Sequence, residues 1–325
     1  MNASTEKWAA EIRAGDVRAV SRAVTAIENG EQDAQDLLRL LFPATGRACR
    51  IGITGPAGTG KSTLASGLAA HYRREGRTVG VIAVDPSSPF TGGAILGDRI
   101  RMQAHVTDEG VFIRSMASRG AWGGLSQAAA DAALLLDAAG KDVVIIETVG
   151  VGQDETEVAR LADCTLLVLV PGAGDEVQGL KAGLMEIADI FVINKADYED
   201  ADSFEQQLVS VLRLAPPREG WTPKVVRTVA TEEKGIAELA REIQAFREAH
   251  GAADVRRERE VEFWRSWLMR SVEQHVTAEL AANGEAARRL QEMAGAVASR
   301  SKDPYDAVEE VLAALGLVGR GRRKS

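Results

Sequence analysis

The chain has 325 residues, of which 45% are hydrophobic and 26% charged, so it is long enough for a large core and for two domains. Its 47 Asp and Glu residues outnumber its 39 Lys and Arg residues, and the net charge of -8 argues against nucleic acid as the main partner. No basic segment followed by an apolar one opens the sequence, and the longest apolar run, Leu166 to Val170, is too short to span a bilayer. The sequence therefore predicts a cytoplasmic protein without a membrane partner.

Residues 1–47 are predicted to form an N-terminal helical segment. Asp16 is a suitable cap for a helix that carries Val20 and Val24 on one side. A second helix is predicted to run to about Phe42, because a proline follows there. Both helices precede the first motif of the chain.

That motif is a phosphate-binding loop (P-loop): residues 55–63 read GPAGTGKST and fit G-x-x-x-x-G-K-[ST]. The apolar run 50–54 predicts a strand before the loop, and residues 62–72 predict a helix after it. Glycine-rich backbone and a helix N-terminus surround phosphates with N–H donors, so a nucleoside triphosphate is the predicted ligand. Lys61 is predicted to reach the β and γ phosphates, and Ser62 to hold Mg²⁺. The full set of predicted contacts is Gly55, Ala57, Gly58, Thr59, Gly60, Lys61, Ser62 and Thr63.

Two acidic residues after the P-loop are candidates for the metal or its water shell. Asp85 stands at the C-terminal end of the predicted strand 79–84. Asp98 lies in a glycine-containing segment, 97–102, which we expect to fold over the nucleotide as a switch. For Asp98 a helix N-cap ahead of residues 99–106 is the alternative.

A hydrophobic strand at 143–146 ends in Glu147, and Gly150 follows three positions later. This is the position of a γ-phosphate sensor, where the carboxylate orients the hydration shell of Mg²⁺ and the glycine N–H contacts the γ-phosphate. Glu is longer than the Asp of most small GTPases, which favours a water-mediated hold on the metal. The alternative is a surface glutamate at a strand end.

The sequence Asn194-Lys195-Ala196-Asp197 follows the apolar strand 190–193 and has the N-K-x-D pattern that reads guanine. The Asp197 carboxylate accepts hydrogen bonds only, so it can take both N1–H and the exocyclic N2–H of guanine. Asn194 and Lys195 are predicted to tie this segment to the P-loop and to cover the base. Ala230, after a last strand at 225–229, is predicted to support guanine with its backbone N–H.

Strands and helices alternate between residues 48 and 250, which predicts a P-loop domain of the α/β class with a mostly parallel sheet covered by helices on both faces. Residues 251–325 are rich in charged side chains and are predicted to form a C-terminal helical arm. Val261, Leu268 and Val272 recur there at helical spacing, which predicts either core packing or the seam of a dimerisation arm.

Cys49 and Cys164 lie beside apolar runs and are predicted to be core thiols of a reducing compartment. Their spacing does not match a metal-binding pair. The four histidines are also scattered without ligand spacing.

In this order, the motifs resemble those of the MeaB/ArgK family of G-protein chaperones. The resemblance covers nearly the whole chain and rests on the P-loop, VDPSSP at 84–89, GDRIRM at 97–102, FIRSMASRG at 112–120, ETVGVGQ at 147–153, PGAGDEVQG at 171–179 and NKAD at 194–197. It implies a Mg²⁺-dependent GTPase that binds GTP and GDP and forms a homodimer. It also implies that the protein gates cofactor loading and protects or reactivates an adenosylcobalamin-dependent acyl-CoA mutase of the methylmalonyl-CoA mutase type. The implied site residues are Lys61, Ser62, Asp85, Asp98, Glu147, Asn194, Lys195 and Asp197.

The group that places the attacking water is a separate question. In Ras-like GTPases a glutamine follows the sensor glycine, whereas this chain has Val151, which cannot orient water. Gln153 and the glycine-rich loop 174–181 offer polar groups nearby in sequence. Lys181 is the preferred charge-stabilising residue, with a solvated surface lysine as the alternative.

Three other functions share parts of this pattern. A nickel-insertion GTPase has the same P-loop class, but this chain has no His-rich tract and no C-x-x-C sequence. A small-molecule kinase would need an acceptor site that the sequence does not indicate. A nucleotide-binding module without hydrolysis would lack the γ-phosphate sensor, which is present here.

Overall fold

The computed structural model describes residues 3–85, 105, 107–117, 124–148, 154–172, 182–213, 221–250 and 253–317. The chain divides into two compact units, Met1–Trp264 and Arg265–Ser325. The first unit contains the sheet and all motifs of the sequence analysis.

The N-terminal segment forms helices α1 (Ala3–Arg13), α2 (Val17–Glu28) and α3 (Gln32–Leu41), followed by a short 3-10 turn. The Asp16 carboxylate accepts a hydrogen bond from the Ala19 N–H at 2.7 Å and caps α2, as predicted. Helix α1 was not expected, because its buried side chains, Thr5, Ala9 and Ile12, include only one large apolar residue. Contacts with α3 stabilise α1, although its own sequence has no apolar stripe typical of an amphipathic helix.

Seven strands of the described part of the chain form the sheet. They are β1 (Cys49–Thr54), β2 (Val79–Asp85), β3 (Val111–Ala117), β4 (Val143–Thr148), β5 (Cys164–Leu169), β6 (Ile190–Asn194) and β7 (Lys224–Thr228). Their spatial order is β3-β2-β4-β1-β5-β6-β7, and all six neighbouring pairs are parallel. The chain reverses its direction of winding at β1, and open α/β sheets bind ligands beyond the C-terminal ends of the strands at such a point.

The strands alternate with helices α4 (Lys61–Arg74), α5 (Gly124–Ala138), α6 (Asp154–Leu161), α7 (Ala182–Ile187), α8 (Ala201–Leu212) and α9 (Ile236–Ala249). Successive residues of a strand point to opposite faces of the sheet. In β5, Leu166 packs in the cluster that contains α4 and α9, whereas Leu167 packs in the cluster that contains α8. Each face is therefore covered, and the predicted α/β class is confirmed.

Both cysteines are buried and free, as the sequence predicted. Burial raises the pKa of Cys49 to about 12 and also raises the pKa of Cys164. Both thiols are therefore protonated near neutral pH and contribute to the core as small apolar groups.

Helix α10 (Ala253–Ala282) begins in the first unit and ends in the second. The first compact unit extends to Trp264, past the domain boundary predicted at residue 250, which stays a prediction. The reason is local packing: Phe263 is 6% exposed, and Arg259 forms an ion pair with Asp189 at 3.4 Å.

The second unit contains the rest of α10 with α11 (Gly284–Ala298) and α12 (Pro304–Ala314). The side chains of Asn283 and Asp303 cap these two helices by accepting backbone N–H groups. Met293, Ala307 and Val311 form a small apolar cluster between α11 and α12. No helix among the described residues is both long enough and apolar enough to cross a bilayer.

Candidate nucleotide-binding site

The predicted P-loop connects β1 to α4 at the C-terminal edge of the sheet, next to the central strand. Gly60 precedes α4 with a φ of 89°, and a Cβ at this position would lie 2.4 Å from Asn194 Nδ2. Glycine is needed there because both the backbone conformation and the close approach exclude a side chain. The loop is thus held directly against the N-K-x-D segment.

Four consecutive N–H groups of the loop, those of Ala57, Gly58, Thr59 and Gly60, donate to no acceptor among the described residues. Thr59 supports the loop through its hydroxyl, which donates to the Pro56 carbonyl at 2.9 Å. A row of N–H groups at a helix N-terminus is suited to bind phosphate oxygens.

Lys61, the first residue of α4, is buried, with 5% of its surface exposed. Its ammonium group donates to the carbonyls of Gly55 and Pro56 at 2.7 and 2.8 Å. The cation therefore folds over the inside of the loop, where the β and γ phosphates of a bound nucleotide would lie.

Ser62 and Glu147 meet at the same edge. Strand β4 pairs with β1, with Ile53 opposite Glu147, which brings the carboxylate to the start of α4. The Ser62 hydroxyl donates to Glu147 Oε1 at 2.5 Å, and both residues are buried. Hydroxyl and carboxylate oxygens are the ligand types that Mg²⁺ prefers.

Asn194, at the end of β6, links the two nucleotide-binding segments. Its Nδ2 donates to the Thr59 carbonyl at 2.8 Å, the tie to the P-loop that the sequence analysis expects. Its Oδ1 accepts from the Thr228 hydroxyl and from the Ala230 N–H, both at 3.1 Å. The Ala230 N–H, predicted to contact guanine, is thus engaged with Asn194 in this structure.

Lys195 and Asp197 lie on the exposed side of the same segment. Lys195 has a φ of 55° and donates from Nζ to the Gly58 carbonyl at 3.0 Å. The Asp197 side chain is exposed and accepts no hydrogen bond from any described residue. Its carboxylate is therefore open to two donors from a ligand.

Two supporting contacts were missed by the sequence analysis. Thr228, buried at the end of β7, fixes the orientation of Asn194 by donating to its Oδ1. Its place at the end of the last predicted strand, two residues before Ala230, could have identified it from the sequence. The second contact joins Ser66 of α4 to His105 Nε2 at 3.0 Å. Nothing local in the sequence connects these two residues, which are 39 positions apart.

Several predicted residues lie outside the described part of the chain: Asp98, Gly150, Gln153 and Lys181. The backbone of Asp85 ends β2, whose register places Val84 beside Thr148 of β4. Within the described residues, no group of three or more His, Cys, Asp or Glu side chains is arranged to hold a metal ion. Of the four residues predicted to surround the metal, Ser62 and Glu147 are hydrogen-bonded to each other in the described structure.

This geometry defines the class of protein. A parallel sheet with a P-loop after its central strand, and an N-K-x-D segment hydrogen-bonded to that loop, are the parts of a P-loop GTPase. The sequence model for "Methylmalonyl Co-A mutase-associated GTPase MeaB" matches residues 20–285. The chain belongs to this family, and it is a GTP hydrolase that forms GDP and phosphate.

Relatives support the assignment along most of the chain. A protein of Pyrococcus abyssi named as a GTPase is 49% identical over 93% of this chain and 94% of its own length. GTPase ArgK of Escherichia coli is 39% identical over 92% and 93% of the two chains. The "Methylmalonic aciduria type A homolog, mitochondrial" of Caenorhabditis elegans is 36% identical over 70% of this chain and 58% of its own.

The crystal structure of a LAO/AO transport system kinase has the same fold as this chain. The TM-score is 0.74 at 32% sequence identity, and the match covers 97% of this chain and 99% of that one. The predicted P-loop fold and the resemblance to the MeaB/ArgK family are therefore confirmed.

Proposed function

We propose that this GTPase is a Mg²⁺-dependent G-protein chaperone of an adenosylcobalamin-dependent acyl-CoA mutase. It would gate loading of the cofactor and protect or reactivate the mutase. The observation that carries the proposal is the family match over residues 20–285, a range that includes every residue of the candidate site. Single-turnover GTP hydrolysis with and without a purified mutase is the direct test.

The phosphates would bind in the P-loop. The N–H groups of Ala57 to Gly60 lack acceptors within the described residues and can donate to phosphate oxygens. Lys61 would exchange its two carbonyl partners for the β and γ phosphates, to which a cation binds more strongly. Gly55 and Thr63 complete the proposed contacts at the two ends of the loop.

The metal would be held by Ser62, with Glu147 acting through a water molecule. The 2.5 Å contact between the Ser62 and Glu147 oxygens supports this placement, because both are hard oxygen donors in a buried position. Bound Mg²⁺ supplies positive charge that neutralises the phosphate oxygens. Asp85 and Asp98 remain proposed members of its water shell.

The base would be read by Asp197, while Asn194 and Lys195 position the segment. The exposed Asp197 carboxylate matches the two adjacent donors of guanine, whereas adenine presents a different pattern. The Ala230 N–H already donates to Asn194 Oδ1, so it would contact guanine only through a bifurcated hydrogen bond to both acceptors. Gly150 would report the γ-phosphate, and Gln153 and Lys181 would act on the attacking water and on the developing charge.

Guanine selectivity provides the first prediction. GTP and GDP should bind at least tenfold more tightly than ATP and ADP, a difference of about 1.4 kcal/mol that one bidentate contact can supply. Asp197→Asn should abolish that preference, because an amide replaces one acceptor by a donor that faces a guanine N–H. Isothermal titration calorimetry with all four nucleotides measures it.

Asp200→Asn is the matched control. Asp200 belongs to the same exposed segment, and its side chain forms no capping hydrogen bond. This variant should keep the preference for guanine. Equal affinity of the unaltered protein for GTP and ATP would contradict guanine recognition by this segment.

We also propose a homodimer that forms through a dimerisation arm within residues 251–325, attached to the GTPase domain at 48–250. Val261, Leu268 and Val272 of α10 are 58%, 56% and 57% exposed in the single chain. Large apolar side chains repeated along one charged helix favour an interface with a second copy. Packing onto the same chain is the alternative.

Truncation tests the arm. A chain that ends after Trp264 keeps the first compact unit but loses Leu268 and Val272, so we expect a monomer. A chain that ends after Ala282 keeps the whole of α10 and should remain a dimer. Multi-angle light scattering gives the mass of each, and a dimeric product that ends after Trp264 would show that the seam lies elsewhere.

A further inference from the structure

A cavity of about 530 Å³ opens in the first unit at the edge of the sheet opposite the P-loop. Ala48 and Asp163, which immediately precede β1 and β5, line it, so it lies at the N-terminal ends of the parallel strands. Its walls also come from α5, α6, α9 and the start of α10. Its volume lies within the range of about 300–1,000 Å³ that small-molecule sites use.

Aromatic rings form much of the wall. Trp264 meets the edges of Phe42 and Phe263 at centroid distances of 5.1 and 4.9 Å. The ring centroids of His250 and Phe246, two further lining residues, are 4.2 Å apart. Phe246 and Phe263 are buried, whereas Phe42 is 50% exposed, so Phe42 and Trp264 are the rings that offer faces and edges to a flat apolar group.

Some of the charges around the cavity are compensated within the protein. Arg50 donates to Asp163 through two nitrogens; burial alone would lower the pKa of Arg50, but Asp163 more than offsets this and raises it. Arg259 pairs with Asp189 at 3.4 Å. The Asp137 carboxylate accepts the N–H groups of residues 46–48 at 2.6 to 3.2 Å.

Other charges are not compensated. Arg160, in the last turn of α6, and Arg247, in the last turn of α9, line the cavity and form no ion pair or hydrogen bond with any described residue. Glu248 and Glu260, both exposed, also line it. Two such acids disfavour a ligand with several negative charges, whereas one anionic group can bind between the two arginines.

His250 adds a buried polar atom that lacks a partner. The residue is 7% exposed, and its Nδ1 lies 2.9 Å from the Phe246 carbonyl, so Nδ1 carries the proton in the neutral ring. Nε2 is then an acceptor, and no described group donates to it. A buried acceptor without a donor is costly, and a ligand N–H or O–H would satisfy it.

We propose that this cavity is a second ligand site, separate from the nucleotide site. Its ligand is a small organic anion with a flat ring system, one anionic group and one hydrogen-bond donor. The anionic group binds Arg160 and Arg247, the rings contact Trp264 and the exposed Phe42, and the donor reaches His250 Nε2.

The probe is 1-anilinonaphthalene-8-sulfonate, which has flat rings, one sulfonate and one N–H. It is titrated by fluorescence into the full chain saturated with GDP and Mg²⁺, so that the P-loop site is filled. We expect one tight site per chain. Arg160→Ala and Arg247→Ala should each weaken it by about tenfold, the effect of one lost charge-assisted hydrogen bond.

Arg241→Ala is the matched control, because Arg241 lies on α9 but does not line the cavity. It should bind the dye like the unaltered protein, and inorganic phosphate, which lacks a ring, should not displace the dye. Circular dichroism establishes that each variant is folded; Arg160 is exposed, so its replacement leaves the core intact. The proposal would be overturned by absence of dye binding, by dye affinity in both arginine variants equal to that of the unaltered protein, or by displacement of the dye by phosphate.

Discussion

Single-turnover GTP hydrolysis should accelerate by about 10³-fold or more when a saturating adenosylcobalamin-dependent acyl-CoA mutase of the source organism is added. The isolated protein should be slow because Val151, the residue after the sensor glycine, cannot orient the attacking water. A partner that orders a loop near the γ-phosphate can complete the site. Supplying the missing group in trans has effects of this size in other GTPases.

The same assay tests the proposed groups. Lys181→Ala should lower the stimulated rate if Lys181 stabilises the developing charge, and Gln153→Ala should do so if Gln153 places the water. Lys7→Ala is the matched control for the lysine, since Lys7 lies on α1 with an 80% exposed side chain.

Each negative result has a distinct meaning. An unchanged rate on addition of the mutase would contradict the proposed coupling. Normal stimulation of Lys181→Ala would remove only Lys181 from it. Free phosphate that falls short of the GTP consumed would instead indicate transfer to another acceptor, which is the kinase alternative.

Lys61→Met should reduce the rate of GTP hydrolysis by about 10²- to 10³-fold, the usual effect of removing one preorganised donor to a transition-state charge. The Lys61 ammonium group is buried against the Gly55 and Pro56 carbonyls and is poised to move to the phosphates. Methionine retains most of the volume of the side chain but neither its charge nor its donors. Single-turnover hydrolysis at saturating GTP and Mg²⁺ separates this loss from weaker binding.

Lys7→Met is the control for this substitution and should hydrolyse GTP at the unaltered rate. Circular dichroism and calorimetric GDP binding show whether the Lys61→Met protein is folded. A folded variant with an unchanged rate would exclude Lys61 from the catalytic site.

The sequence alone determined those features that depend only on residues adjacent along the chain. The P-loop depends on glycine conformations and on a strand and helix that directly adjoin it, so nine consecutive residues, 55–63, were enough to locate it. Five of the seven described strands, β1, β2, β4, β6 and β7, were located from short apolar runs, and every residue of β4 and β6 is buried in the parallel sheet. The Asp16 cap is similarly confined to a few residues.

Only the tertiary structure decided which distant residues meet. The contact between Ser62 and Glu147 depends on β4 pairing beside β1, and the position of Asn194 depends on Thr228 from β7. The first unit extends to Trp264 because the start of α10 buries Phe263, which no local pattern indicates. The cavity at the N-terminal edge of the sheet arises in the same way: Arg160 and Arg247 come from different helices, and only the packing of those helices on the sheet brings both to its wall.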